Sequence, residues 1–141
     1  MKYKLSVVSY LNTLPFIYGL KQSELDKKLD ISLDIPSTCA DKLLSNKIDI
    51  GLVPIVVLKQ MHNAHIVSDF CIGADGAVDT VCLFSDVSIE EIESIFLDYQ
   101  SKSSVELLKI LLKEYWQVSP KLIKAKANYE KQIKGEKAGL I

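Results

Sequence analysis

Arginine is absent from this 141-residue sequence, so all 17 of its basic side chains are lysines. A protein without guanidinium groups cannot hold a carboxylate in a planar two-point grip. Any anion-binding site must therefore use lysine ammonium groups, hydroxyls or backbone N–H groups. The formal net charge of −1 gives no overall reason to expect a nucleic acid or an anionic membrane as a partner.

Cysteine is also scarce. Cys39, Cys71 and Cys82 lie far apart and form no C-x-x-C pair, which argues against a disulfide framework or a cysteine zinc site. No run approaches the roughly 18 apolar residues of a membrane span, and the amino terminus lacks the apolar core of a signal peptide. We therefore expect reduced thiols and a cytoplasmic protein.

The first half of the chain alternates strand-like and helix-like segments. Hydrophobic periodicity predicts strands over residues 4–8, 30–35 and 48–53, followed by helices beginning near Pro15, Thr38 and Ile55. Asn12 or Thr13 is the expected cap of the first helix. Such alternation favours a mainly parallel sheet covered by helices, with any ligand at the carboxyl ends of the strands.

The second half has a different pattern. Residues 66–69, 70–74 and 78–84 resemble strands, and the turn dipeptide Asp75-Gly76 predicts an antiparallel pair. Capping boxes are expected at residues 88–91 and 103–106, with a strand over 95–97 between them. The second box opens an amphipathic helix, and a final strand begins at Ala138. The lysine-rich segment after Lys121 lacks the interleaved aromatic side chains typical of a nucleic-acid arm.

Two strand-to-helix turns are candidate anion sites, one around Asn12 and one at residues 101–104. The first N–H groups and the positive dipole end of a helix favour a bound carboxylate or phosphate. The alternative for each is a plain capped turn. His62 and His65 are three residues apart at an expected helix end, but no third ligand accompanies them, so no metal is expected.

Seven ordered blocks of this sequence resemble the chorismate dehydratase family of the futalosine route to menaquinone. They are residues 9–15, 36–40 with Leu43, 49–54, 69–78, 83–85, 97–98 and 101–104. The resemblance implies an α/β fold of the type II periplasmic-binding-protein kind, with two lobes that close on a ligand. Residues 1–86 would form a mainly parallel first lobe with helices on both faces, and residues 87–141 the start of an incomplete second lobe.

Members of that family are usually much longer, so we expect this chain to correspond to their front portion. Where the family commonly has Ser-Arg-Thr-Ser, this sequence has Ser101-Lys102-Ser103-Ser104. A point charge at Lys102 thus replaces a two-point grip.

The resemblance implies elimination of water from chorismate to give 3-[(1-carboxyvinyl)oxy]benzoate, without cofactor or metal. It favours Asn12 as catalytic, helped by a hydroxyl from Thr80 or Ser85, between which the sequence does not decide. Asp75 and Asp98, which lie near matching blocks, are more simply explained as turn caps. The expected substrate-binding residues are Tyr10, Thr13, Ser37, Thr38, Pro54, Ser101, Lys102, Ser103 and Ser104.

The usual bases are scarce in these blocks, because His62 and His65 lie outside them and the Asn12 amide is not a base at neutral pH. We therefore expect the substrate's own enolpyruvyl carboxylate to take the ring proton. The expected partner is this small dicarboxylate, not a nucleic acid or a membrane, and a homodimer is the oligomer to test for. The main alternative is a non-catalytic binding protein of the same fold for a small carboxylate. A regulatory or merely stable fragment is a third interpretation.

Overall fold

A computed structural model describes residues 2–76 and 78–141. Contacts within the chain divide it into two compact units, Met1–Gly73 and Ala74–Ile141. Residues 74–86, expected in the first lobe, group here with the second unit. The reason is long-range pairing, because strand Leu83–Phe84 pairs with a strand near the carboxyl terminus.

The first unit contains a three-stranded parallel sheet. Its strands are β1 (Tyr3–Val8), β2 (Leu29–Asp34) and β3 (Ile50–Gly51), in the order β2-β1-β3. The helices are α1 (Leu14–Lys21) and α2 (Pro36–Leu44). Both early strands and both helices were predicted. The third strand is shorter than expected, and the third helix is a 3-10 helix, Ile55–Gln60.

β1 is the central strand, and both of its faces are covered. Leu5 and Val7 pack on one face with Ile17 and Leu20 of α1. Ser6 faces the opposite way and contacts Cys39 of α2. The expected helices on both faces are therefore present. A central parallel strand shielded on both sides explains why residues 5–8 read as one apolar run broken only by Ser6.

The second unit contains a mixed four-stranded sheet in the order β4-β7-β5-β6. β5 runs parallel to β6 and β7, while β4 runs antiparallel to β7. The strands are β4 (Leu83–Phe84), β5 (Ser94–Leu97), β6 (Lys121–Lys124) and β7 (Lys137–Leu140).

Helix α3 (Lys102–Ile110) covers one face of this sheet and continues into a π-helical turn, Leu111–Tyr115. Leu108 and Leu112 pack there against Ile95, Leu97 and neighbouring residues. The opposite face is covered by Tyr129 and Ile133, which pack with Phe96, Ile123 and Ala125. Tyr129 also donates a hydrogen bond from its hydroxyl to the Leu140 carbonyl.

The hairpin expected around Asp75-Gly76 was wrong. Residues 66–74 form no strand in the described part of the chain. Within the predicted strand 78–84, only Leu83–Phe84 is a strand. Ala77, which belongs to the predicted hairpin, lies outside the described residues. Ile66, Val67 and Phe70 are more than two-thirds exposed. Strand-like composition is insufficient where no partner backbone pairs with the segment. Across the described residues no helix is both long and apolar enough to cross a membrane.

Candidate functional site

The carboxyl ends of β1, β2 and β3 lie at one edge of the first unit's sheet, because the three strands are parallel. The segments that follow them begin at Ser9, Ile35 and Leu52. These segments carry the predicted catalytic residue Asn12 and all five residues predicted to bind substrate in this half of the chain: Tyr10, Thr13, Ser37, Thr38 and Pro54. Such an edge is where α/β sheets bind ligands.

The segment after β1 begins helix α1 differently from the prediction. A 3-10 turn, Leu11–Thr13, with Tyr10 as its N-cap, runs directly into α1. Thr13 occupies the N-cap position of α1 but is already helical, so neither it nor Asn12 caps the helix with a side chain. Thr13 is fully buried, whereas Asn12 and Tyr10 are exposed. Asn12 is thus the accessible amide in this turn.

The segment after β2 starts α2 earlier than predicted. Its N-cap is Ile35 and Pro36 is in the first turn, so Ser37 and Thr38 lie inside the first turn and are half-buried. The predicted helix start near Thr38 was therefore two residues late, because the extended Ile35 and the fixed φ of Pro36 begin the helix sooner. Pro54, after β3, is the half-buried N-cap of the 3-10 helix.

A polar cluster that was not predicted from the sequence lies between the sheet and α2. The Asp34 carboxylate accepts hydrogen bonds from Ser6 Oγ at 2.7 Å, Ser32 Oγ at 2.9 Å and Lys42 Nζ at 2.5 Å. Ser6 Oγ also lies 3.1 Å from Cys39 Sγ. The sequence signal was the period-2 spacing, which puts Ser32 and Asp34 on one face of β2.

Hydrogen bonds and burial shift the ionisation of two groups in this cluster. The hydrogen bond from Lys42, followed by that from Ser6, holds the pKa of the Asp34 carboxyl below its usual 3.8, despite partial burial. Burial raises the pKa of the Cys39 thiol above 9.0. Asp34 is therefore a carboxylate at neutral pH, and Cys39 is a protonated, buried thiol rather than a nucleophile.

In the second unit, a hydroxyl-rich turn connects β5 to α3. Ser101 is the N-cap, and its Oγ accepts from the Ser104 N–H at 3.2 Å and donates to Ser104 Oγ at 2.8 Å. Asp98 accepts from the backbone N–H groups of Gln100 and Ser101, each at 3.0 Å. The cap is therefore Ser101 rather than Ser103, because Asp98 holds the preceding turn. Lys102 and Ser103 lie in the first helical turn.

The two candidate catalytic hydroxyls lie in exposed segments around β4. Thr80 is in a turn, and Ser85 directly follows β4, where its Oγ accepts from the Val87 N–H at 3.2 Å. Ser85 lines an open groove of about 270 Å³, together with Phe84, Asp86, Glu130, Ile133 and Ile141. The structure thus gives Ser85 a concave surrounding.

The predicted capping box at residues 88–91 is confirmed. Ser88 donates from its N–H and its hydroxyl to the Glu91 carboxylate, at 3.1 and 2.8 Å. Asp75 is exposed, and so are His62 and His65, which follow the 3-10 helix in a non-helical segment. Within residues 2–76 and 78–141, no group of three His, Cys, Asp or Glu side chains is arranged to hold a metal ion.

A comparison with protein families decides the assignment. The model of a family described as menaquinone biosynthesis matches residues 3–141, which is nearly the whole chain. The chain belongs to this menaquinone biosynthesis family. The family identification made from the ordered sequence blocks is thereby confirmed, and it assigns the chain an enzymatic role in making menaquinone.

Proposed function

We propose that this member of the menaquinone biosynthesis family is a chorismate dehydratase, with the two-lobed fold of type II periplasmic binding proteins. The observation that supports the reaction most directly is that each unit has a polar turn between the carboxyl end of a parallel strand and the start of a helix. Chorismate carries two carboxylates, and helix N-termini bind such groups through backbone N–H donors.

In this proposal the first unit binds through the turn that carries Tyr10, Asn12 and Thr13, with the α2 first turn and Pro54. Thr13 supports this turn from inside the unit and does not itself touch the substrate, because its side chain is fully buried. The second unit binds one carboxylate at Ser101–Ser104, where Lys102 supplies the only full positive charge of that turn. Without arginine, charge and N–H donors replace a bidentate grip.

The reaction removes a proton from a ring carbon and expels the ring hydroxyl. We propose that the substrate's enolpyruvyl carboxylate accepts that proton while the C–O bond breaks, and then passes it to the departing hydroxide. Water is thereby released, the carboxylate is regenerated and the ring becomes aromatic. The Asn12 amide and a hydroxyl of Thr80 or Ser85 orient the ring and stabilise developing charge by hydrogen bonds. Neither group needs to act as a base at neutral pH.

No cofactor enters this reaction, and the three cysteines are free, as suits a cytoplasmic enzyme. Chorismate is the partner in this proposal. Sedimentation of the purified chain measures its oligomeric state and so tests whether it forms a homodimer.

The test follows the ultraviolet absorbance of chorismate with the purified protein, with mass spectrometry to identify the product. Dehydration consumes the cyclohexadiene and yields 3-[(1-carboxyvinyl)oxy]benzoate. Asn12→Ala should lower turnover by about 10²- to 10³-fold, as loss of one charge-stabilising donor does. Asn63→Ala, which alters an exposed amide in another turn of the same unit, is the matched control and should leave turnover unchanged.

Thr80→Ala and Ser85→Ala, assayed in parallel, identify the assisting hydroxyl as the one whose loss lowers kcat. Saturable chorismate binding without consumption would instead support the non-catalytic binding protein. Near-normal turnover in Asn12→Ala would remove that residue from the mechanism.

A further inference from the structure

Asp34 joins four parts of the first unit. It is the last residue of β2, and its carboxylate accepts hydrogen bonds from Ser6 in β1, Ser32 in β2 and Lys42 in α2. Its main-chain carbonyl accepts from the Ser9 N–H at 2.9 Å. The Asp34 side chain is 15% exposed and that of Lys42 is 31% exposed, so the ion pair is partly shielded from solvent.

Two of those partners are directly connected to the proposed substrate-binding turns. Ser9 begins the segment that carries Tyr10 and Asn12, so the bond from its N–H to Asp34 determines where that segment leaves the sheet. Lys42 lies in the same short helix as Ser37 and Thr38, which are in its first turn. The ion pair Lys42–Asp34, at 2.5 Å, therefore holds α2 against the end of β2.

We infer that Asp34 and Lys42 are positioning residues for the proposed dehydration, which hold the Asn12 turn and the first turn of α2 in a fixed relative placement at the edge of the sheet. This inference rests on the proposed function and adds residues that need not touch the substrate. The main-chain carbonyl of Asp34 accepts from Ser9 and its carboxylate pairs with Lys42 of α2, so a single residue contacts both segments.

The cluster is well suited to this task because its members lie on rigid elements. Ser6 is fully buried in the central strand and donates a hydrogen bond from its hydroxyl to the Asp34 carboxylate. Cys39 is fully buried in α2 beside Ser6, so the helix is held at a second point one turn from Lys42. Misplacement of a binding group by about 1 Å can lower rates by about 10²-fold.

The experiment compares four variants with the wild-type protein. Asp34→Asn and Lys42→Met each break the ion pair and leave one charge unpaired. The double variant Asp34→Asn/Lys42→Met removes both charges, so stability should return while the tether stays broken. Lys42→Arg keeps a cation that can pair with Asp34. We expect kcat/KM for chorismate to fall at least tenfold in both single variants and in the double variant, and to stay within about threefold in Lys42→Arg.

Two further measurements separate positioning from stability. Thermal unfolding is recorded on the same samples, with Lys27→Met as control, because the Lys27–Glu24 pair in this unit is 76% and 86% exposed. Hydrogen exchange at the Ser9 amide reports on the turn without any ligand. We expect faster exchange at Ser9 in Lys42→Met and in the double variant, and wild-type exchange in Lys42→Arg and Lys27→Met.

A double variant that regains thermal stability but neither kcat/KM nor Ser9 protection supports the inference. Recovery of activity in step with stability would overturn it, since the pair would then be purely structural. Unchanged Ser9 exchange in the double variant would also overturn it. Failure of the wild-type chain to convert chorismate would refute the proposed function. Ser9 exchange would still test the inference in that case, because it is measured without substrate.

Discussion

Gly139 lies where the second unit has no room for a side chain. A Cβ at this position would sit 2.3 Å from Cδ1 and 2.7 Å from Cγ1 of Ile133. The backbone cannot move away easily, because Gly139 in β7 is paired with Phe96 of β5 on one side and Phe84 of β4 on the other. In Gly139→Ala, Ile133 must therefore shift.

The expected loss of stability is about 1 kcal/mol. Overpacking a core costs about 1–3 kcal/mol, and the lower half applies because the two nearest atoms belong to a side chain, Ile133, and not to the backbone. Replacing glycine by alanine also restricts the unfolded chain, which offsets about 0.4–1 kcal/mol. In Gly139→Ala/Ile133→Ala the clash is gone, so the loss should be smaller than the sum of the single losses by about 1–2 kcal/mol.

Urea unfolding followed by tryptophan fluorescence measures this. Trp116, the sole tryptophan, packs against the core of the same unit, so its signal reports on the unit that holds Gly139. Gly19→Ala is the control, because a Cβ there meets nothing within 4 Å and the residue lies in α1 of the other unit. A Gly139→Ala protein as stable as wild type, or losses that simply add, would refute the packing argument.

Three shorter predictions concern single side chains. Lys102→Arg should lower KM for chorismate several-fold by supplying a bidentate grip, and steady-state kinetics checks this; an unchanged KM argues against a carboxylate at that turn. Because the pKa of Asp34 is low, the wild-type protein should exceed Lys42→Met in free energy of unfolding by a constant amount near neutral pH. This difference should disappear as the pH falls below 3.8 and through the folded-state pKa, as measured by urea titrations followed by circular dichroism. Burial raises the pKa of Tyr129 to about 12. Its contribution to the free energy of unfolding is therefore complete below about pH 10 and is lost as the pH rises towards about 12. Tyr129→Phe should cost about 1–2 kcal/mol, because the Leu140 carbonyl loses its donor, and should abolish that alkaline slope in denaturation experiments.

Local sequence patterns predicted the elements whose signals are local. Apolar runs located β1 and β5, alternation located β2, and Pro15 marked the first turn of α1. The capping box at Ser88 was likewise readable, because both of its partners lie within four residues. Ordered motifs also sufficed to identify the family, since many short blocks in sequence are specific together.

Strand pairing and exact helix starts were decided by contacts distant in the chain. Strand β6 was not predicted, because Leu122 and Ile123 among lysines gave no clear alternation and only pairing with β5 defines it. Residues 66–74 had strand composition but no pairing partner in the described structure. Burial of Thr13 and the Asp34 cluster likewise depend on neighbours brought together by folding, which no local window of sequence contains.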